Sequence, residues 1–144
     1  MVRRSTVGWM WRTFIGVALL IVAAGCAGVA SDNVVSLGQR FTLAVGQTAT
    51  VRGEGLELTF KDVLEDSRCP KNAVCIQMGK ARIAVEAKKG GAVVDTTIEQ
   101  PGLSDGSSEW TVHGYTVVFH LDPYPEAGKN TEKADYRLAL TVTK

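Results

Sequence analysis

Little in this chain of 144 residues invites metal binding, redox chemistry or docking by bulk charge. It has two histidines, His113 and His120, three cysteines, and 16 Lys and Arg against 15 Asp and Glu. Such a balance leaves no basic footprint for nucleic acid and no polybasic patch for anionic lipid. G-x-S-x-G spacing occurs at Gly102-Leu103-Ser104-Asp105-Gly106, inside a Pro/Gly/Ser loop with no helical period after it; there is no C-x-x-C pair and no run with the oxygen spacing of an EF-hand loop. The strand-turn-helix setting of a serine hydrolase elbow is therefore missing, as are the sequence grounds for a thioredoxin-like redox centre and a calcium loop. The main apolar run, residues 14–24, is about half the roughly 20 residues that a membrane-spanning helix needs.

What that run does have is a setting. Arg3, Arg4 and Arg12 precede or open it, and Ala23-Ala24-Gly25-Cys26 follows it. A basic leader, a short apolar core and small residues at the end are the parts of a secretory signal. An uncleaved signal anchor is the other reading of the same run. The four residues ending at Cys26 resemble the lipobox of bacterial lipoproteins, with Ala23 where that motif usually has leucine. The resemblance implies cleavage before Cys26, acyl chains (palmitate among them) on its sulfur and amine, and an extracytoplasmic address at the cell envelope. Ala27 lacks the acidic character that retains such proteins at an inner membrane, so an outer membrane is expected where the host has one. Residues 1–25 are then the signal peptide and residues 26–39, small and polar, the lipidated cysteine with its tether. Residues 40–144 are the folded domain.

Without the signal the chain keeps 13 basic groups against 15 acidic ones, a net charge of −2. Three cysteines are one too many for pairing in a secreted protein, but lipid on Cys26 leaves Cys69 and Cys75 as an even pair. In an oxidising compartment the pair is expected to be a disulfide. Closing so short a loop stabilises by only about 2 kcal/mol in the chain-entropy picture, so the bridge is expected to shape the loop more than hold the domain.

From Phe41 onward the apolar residues alternate with polar ones, and no helical period competes. Phe41, Leu43 and Val45 begin the pattern; Leu56, Leu58 and Phe60 continue it after Gly53-Glu54-Gly55. The alternation slips by one at Lys61-Asp62-Val63-Leu64, which predicts a bulge or a bend. Ala81, Ile83, Val85 and Ala87 share a face and turn at Lys89-Gly90-Gly91, and residues 93–99 return. Residues 100–108 read as a loop. A His113-Gly114 turn pairs Val112 with Tyr115 and Trp110 with Val117, placing all four on one face. Residues 122–134 form a long polar loop, and Tyr136, Leu138, Leu140 and Val142 close the domain. Seven or eight short strands at this spacing predict an antiparallel β-sandwich, in an immunoglobulin-like form or as a partly closed barrel.

Candidates for chemistry are few. His113 sits at a turn and His120 seven residues along a strand, roughly 20 Å away, too far to share one metal ion. Nothing in the pattern requires a metal or another cofactor. Glu65-Asp66-Ser67-Arg68 is a charged cluster in which Asp66 can accept loop N–H groups or pair with Arg68. Glu65-Asp66-Ser67-Arg68-Cys69-Pro70, followed by Cys75, Gly79 and an apolar strand from Ala81, resembles a pattern in uncharacterised bacterial lipoproteins. Those proteins have an acidic-Ser-Arg-Cys-Pro start, a second cysteine and then a glycine before a strand. The likeness extends loosely from Phe41 to the Tyr136 strand and includes Pro123-Tyr124-Pro125; Gln77-Met78 stands where a tryptophan and a small residue are usual. The resemblance implies address and fold, and no activity. The functional expectation is a non-catalytic binding or accessory module held to the membrane through Cys26, contacting an envelope protein or another envelope component. Its candidate binding loop holds Glu65, Asp66, Arg68, Lys71, Asn72 and Met78. The alternatives are a small hydrolase or carbohydrate-active enzyme using carboxylates of residues 65–66 or 122–126, and a purely structural envelope protein.

Overall fold

The structure, a computed structural model, describes residues 33–102 and 106–144. Cys26 and the expected lipobox and signal lie outside the described residues. Nine strands run in the order β1 (Asn33–Val35), β2 (Arg40–Ala44), β3 (Thr48–Val51), β4 (Leu56–Asp66), β5 (Lys80–Lys89), β6 (Ala92–Pro101), β7 (Ser108–Val112), β8 (Tyr115–Asp122) and β9 (Arg137–Thr143). They form two separate sheets, β1-β3-β4-β5-β6 and β2-β9-β8-β7, so the fold is a sandwich.

Alternation in the sequence becomes alternation in burial. Along β8 the side chains are buried and half-buried in strict turn, and along β5 Ala81, Ile83, Val85 and Ala87 all point inward. Fully buried Phe60, Ile83 and Val51 of one sheet share a single core with Val117, Leu121 and Leu138 of the other. The β7–β8 hairpin has the expected register, Val112 opposite Tyr115 and Trp110 opposite Val117. The expected bulge lies between Phe60 and Asp62, and a second shift follows between Val63 and Glu65. These two extra residues turn the end of β4 so that Asp66 comes down among buried neighbours.

Two boundaries differ from the sequence reading. Residues 26–39 are not all tether, because Asn33–Val35 pairs in parallel with Ala49–Val51 and Val35 is buried. Two adjacent valines favour extended backbone, and β3 offers them an open edge. Residue Gln100 is not in a loop: β6 continues to Pro101, opposite Lys80.

The two ends of the sandwich are closed by different chemistry. At one end lie the turns around Gly53, Gly90 and His113, where the buried Tyr115 hydroxyl donates to Glu54 and accepts from Lys89 Nζ at 2.5 Å. Lys144 Nζ donates to the same Glu54 at 3.1 Å, and these two bonds hold the Glu54 carboxyl below its ordinary range. At the other end, backbone pairing runs on past the strands: Ser67 N–H donates to Lys80 O, Cys69 N–H to Met78 O and Gly102 N–H to Gly79 O. Gly79 has φ +65, and a Cβ there would lie 1.7 Å from Ser67 O. Gly90 also has positive φ, +55, but its Cβ would meet nothing within 4 Å. We expect Gly90→Ala to cost about 1–2 kcal/mol from backbone conformation alone. Gly79→Ala should cost clearly more, as urea unfolding of the two variants will show; equal losses would mean that the close approach at Ser67 relaxes freely.

Candidate functional site

The loop end is organised by a cation inside the protein. Arg68 retains 2 % of its surface, although it lies two residues past the end of β4. A buried guanidinium is tolerable only when its fixed fork of five N–H donors is met. Here Nε and Nη2 donate to the two oxygens of Asp66 at 2.8 and 2.7 Å. Nη1 donates to Leu121 O at 2.9 Å and Nη2 also to Pro123 O at 3.0 Å. The flat face of the group lies 4.9 Å from the Tyr124 ring centroid. Asp66 also accepts the Arg68 N–H and, at 3.1 Å, the Tyr136 hydroxyl. Burial first, and then the Asp66 carboxylate, push the Tyr136 hydroxyl up to about 12.

A second buried polar residue completes the arrangement. β7 ends its pairing at Ser108 opposite Phe119, so it offers no partner to Leu121. Gln100, fully buried on β6, accepts the Leu121 N–H at 2.7 Å, and Arg68 takes the Leu121 carbonyl. Side chains from the larger sheet thus replace the missing stretch of β7. With its Oε1 so engaged, Gln100 directs its amide nitrogen to His120 Nδ1 at 3.1 Å, and the other ring nitrogen lies 3.2 Å from Asp122. Among the described residues, no buried side-chain polar atom lacks a hydrogen bond.

Outside this frame lies the cysteine loop. Cys69 and Cys75 form a disulfide, with Cα atoms 6.0 Å apart. Lys71 holds the loop to the β8–β9 connection: its N–H donates to Pro125 O and its carbonyl accepts from Ala127. Its ammonium lies 5.6 Å from the Tyr124 ring. Asn72 is exposed at φ +66, and Met78 is partly exposed. Glu65 is at the edge of the cluster, 3.9 Å from Arg82, with both side chains about half exposed. The candidate binding loop therefore divides. Lys71, Asn72 and Met78 are presented to solvent, whereas Asp66 and Arg68 are enclosed by each other and by the frame, and no ligand reaches them without displacing it. Both readings of Asp66 occur together, the ion pair and the loop N–H.

The sequence reading passed over Val74 and Ile76. They flank Cys75 and are as exposed as in an extended chain, 106 % and 105 %. Two neighbouring aliphatic side chains wholly in water contribute nothing to this core. It also missed Gln100, Tyr124 and Tyr136, whose partners are distant in the chain. The aliphatic residues on either side of Cys75, in a segment read as a turn, were the only signal for the first pair.

Beside the loop is an open groove of about 590 Å3 lined by Lys71, His120, Asp122, Tyr124, Glu126 and Asp135, among others. Glu126 is ion-paired with Lys129, which holds its carboxyl below the usual range. Among the described residues no group of three or more His, Cys, Asp or Glu side chains converges as a metal site would require, and no helix is long and apolar enough to cross a membrane.

Removing Arg68 should leave Asp66 charged and unpaired inside the protein, so Arg68→Met is expected to cost about 3–5 kcal/mol in chemical unfolding. A loss under about 1 kcal/mol, the scale of an exposed pair, would contradict this. Tyr136 supplies a pH test. Its folded value is raised, so its contribution is complete below the ordinary tyrosine value near 10 and is lost as pH climbs through about 12. The stability difference between the native chain and Tyr136→Phe should shift over that window and stay level between pH 7 and 9. No family model, curated protein or solved structure matches this chain.

Proposed function

We propose that this chain is a non-catalytic binding or accessory module of the cell envelope, held at the membrane by acyl chains on Cys26 and working through the loop end of its sandwich. The observation that carries the reading is the contrast between the two sides of that loop. Its inner side is a satisfied polar frame around Arg68, and its outer side presents Val74 and Ile76 fully exposed. A loop fixed by a disulfide and by bonds to a second loop loses little further freedom when something binds to it, which favours recognition. Burying two such aliphatic side chains would contribute about 1.5–3 kcal/mol each.

Support for the address is in the sequence: the three arginines, the short apolar core and the small residues before Cys26. Support for a non-catalytic role is in the carboxylates. Cleavage by a carboxylate pair needs two carboxyl groups that both face one substrate. Asp66 is enclosed by Arg68 and Tyr136, and Glu126 is ion-paired with Lys129.

The test is crosslinking through surface amines in native membranes, using the tagged full chain. A specific envelope component should be captured by the native chain and lost from Lys71→Ala/Asn72→Ala and from Cys26→Ala. Capture of nothing above background would remove the binding reading and leave a structural role. Replacing both Cys69 and Cys75 by serine should lower stability by only about 2 kcal/mol while the capture weakens much more; unchanged capture would make the disulfide a brace without a part in recognition.

A further inference from the structure

We propose that β6 is the pairing edge for a second copy of this chain. Two sandwiches join antiparallel across a two-fold axis at Thr96, and their larger sheets become one continuous sheet. The pairing needs nothing from Cys26 or from the cysteine loop.

Four strands lie at sheet edges: β1, β2, β6 and β7. Proteins blunt a free edge by keeping it short, by a bulge, by an interior proline or by charged side chains along it, lysine above all. β1, β2 and β7 are short, with three, five and five residues. β6 has ten, pairs with β5 without a register shift, and has its proline, Pro101, only as its last residue. It carries no lysine or arginine, and its two carboxylates are already met within its own sheet. Asp95 pairs with Lys61 at 2.6 Å, and Glu99 with Lys80 at 2.8 Å and Arg82 at 3.8 Å. Among the described residues no strand pairs with the other side of β6.

The hairpin before β6 decides which of its backbone groups are free. Gly90-Gly91 is a two-residue turn with φ +55 and +84, so the flanking Lys89 and Ala92 exchange backbone bonds, and every second pair does so from there on. The alternation is still in step at the far end, where the Gly102 N–H donates to Gly79 O at 3.0 Å. Even-numbered residues of β6 therefore bond to β5. Val93, Asp95, Thr97 and Glu99 turn their N–H and C=O groups away from the sheet.

Charge and register together point to a second copy as the occupant. A two-fold pairing of these groups can be centred on Asp95, Thr96 or Thr97. Centred on Asp95, that carboxylate lies opposite its own copy; centred on Thr97, Asp95 lies opposite Glu99. Like charges directly opposite destabilise a pair of strands. Centred on Thr96, Val93 faces Glu99 and Asp95 faces Thr97, and all four outward residues of each strand are bonded. The register with the most hydrogen bonds is thus the one that keeps like charges from facing each other. In it Val93, 55 % exposed, lies along the aliphatic stem of Glu99 from the other copy.

The two-fold axis makes one position diagnostic. Thr96 faces its own copy in a non-hydrogen-bonded pair with Cα atoms about 4.5 Å apart, within the span of a disulfide. Val93 lies about 20 Å from its copy at strand spacing. Thr96→Cys and Val93→Cys in the full chain are oxidised in native membranes with copper phenanthroline, beside the native chain as the control for bridges through Cys26. Thr96→Cys is expected to give a product of twice the mass that reduction removes, with peptide mass spectrometry joining position 96 to position 96. Val93→Cys and the native chain should stay single. No bridged product from Thr96→Cys, or one no more abundant than from Val93→Cys, would overturn the proposal. A bridge from position 96 to a different protein would overturn it too, by giving the edge to another partner.

A second variant reads the pairing without a bridge. Thr97→Pro removes an outward N–H that β5 does not use, a change that edge strands tolerate, so its circular dichroism should match that of the native chain. Sedimentation of the detergent-extracted full chain is expected to show a dimer, and a monomer for Thr97→Pro. A monomeric native chain, or a dimer that survives Thr97→Pro, would overturn the proposal; where Thr97→Pro does not fold, Thr96→Cys decides alone.

Discussion

Arg68 enters the protein where both sheets have run out of regular pairing, and its five donors set the terms for everything around it. The carboxylate that meets it must come from Asp66, which the two shifts in β4 bring to the right place. Two more donors find carbonyls, those of Leu121, which β7 is too short to cover, and of Pro123, so that four of the five are met. Tyr124 lies against the guanidinium and Tyr136 against the carboxylate. A buried ion pair of this kind is weak evidence for high net stability, since desolvating both charges opposes their attraction. What it supplies is uniqueness of geometry, because few arrangements of these loops satisfy all the groups at once. The cysteine loop, the end of β4 and the β8–β9 connection are therefore placed by one cation.

That division of labour explains why the loop can be both rigid and outward-facing. The inner bonds are made with backbone carbonyls and with Asp66. Lys71 adds backbone bonds to the β8–β9 connection and lays its ammonium against the Tyr124 ring. Val74, Ile76 and Asn72 face solvent and take no part in packing the core. At the opposite end Glu54, Tyr115, Lys89 and Lys144 make a separate polar closure, so the two ends can change independently.

Much of the sandwich was legible in the chain, because period-two alternation and turn residues are local signals. The register of the β7–β8 hairpin followed from two residues, His113 and Gly114, and the first bulge from a single slip in the pattern near Asp62. The Cys69–Cys75 bridge and the Asp66–Arg68 pair were legible because their partners are close in sequence. Other features depend on residues far apart. Tyr136 meets Asp66 across 70 positions, and Gln100 looked like loop because Pro101, Gly102 and the serines follow it. Its burial is decided by the length of β7, which no local pattern reports. β1 was unreadable for a related reason: three residues make a strand only if an open edge is waiting, and that edge belongs to β3. The exposure of Val74 and Ile76 likewise depends on how the loop is held, by the Cys69–Cys75 bridge and by the bonds of Lys71 to the β8–β9 connection.

The central claim is that the buried Arg68 frame and the loop end form one cooperative unit with the sandwich. Native-state hydrogen exchange measures this most directly, read at the amides of Ser67, Cys69, Lys71 and Leu121 in the native chain and in Arg68→Lys. The account predicts that these amides open only with the core strands in the native chain. In the variant they should lose protection together while the amides of β5 and β8 away from that end keep theirs. Rapid exchange of the loop amides in the native chain, or protection unchanged in Arg68→Lys, would contradict it.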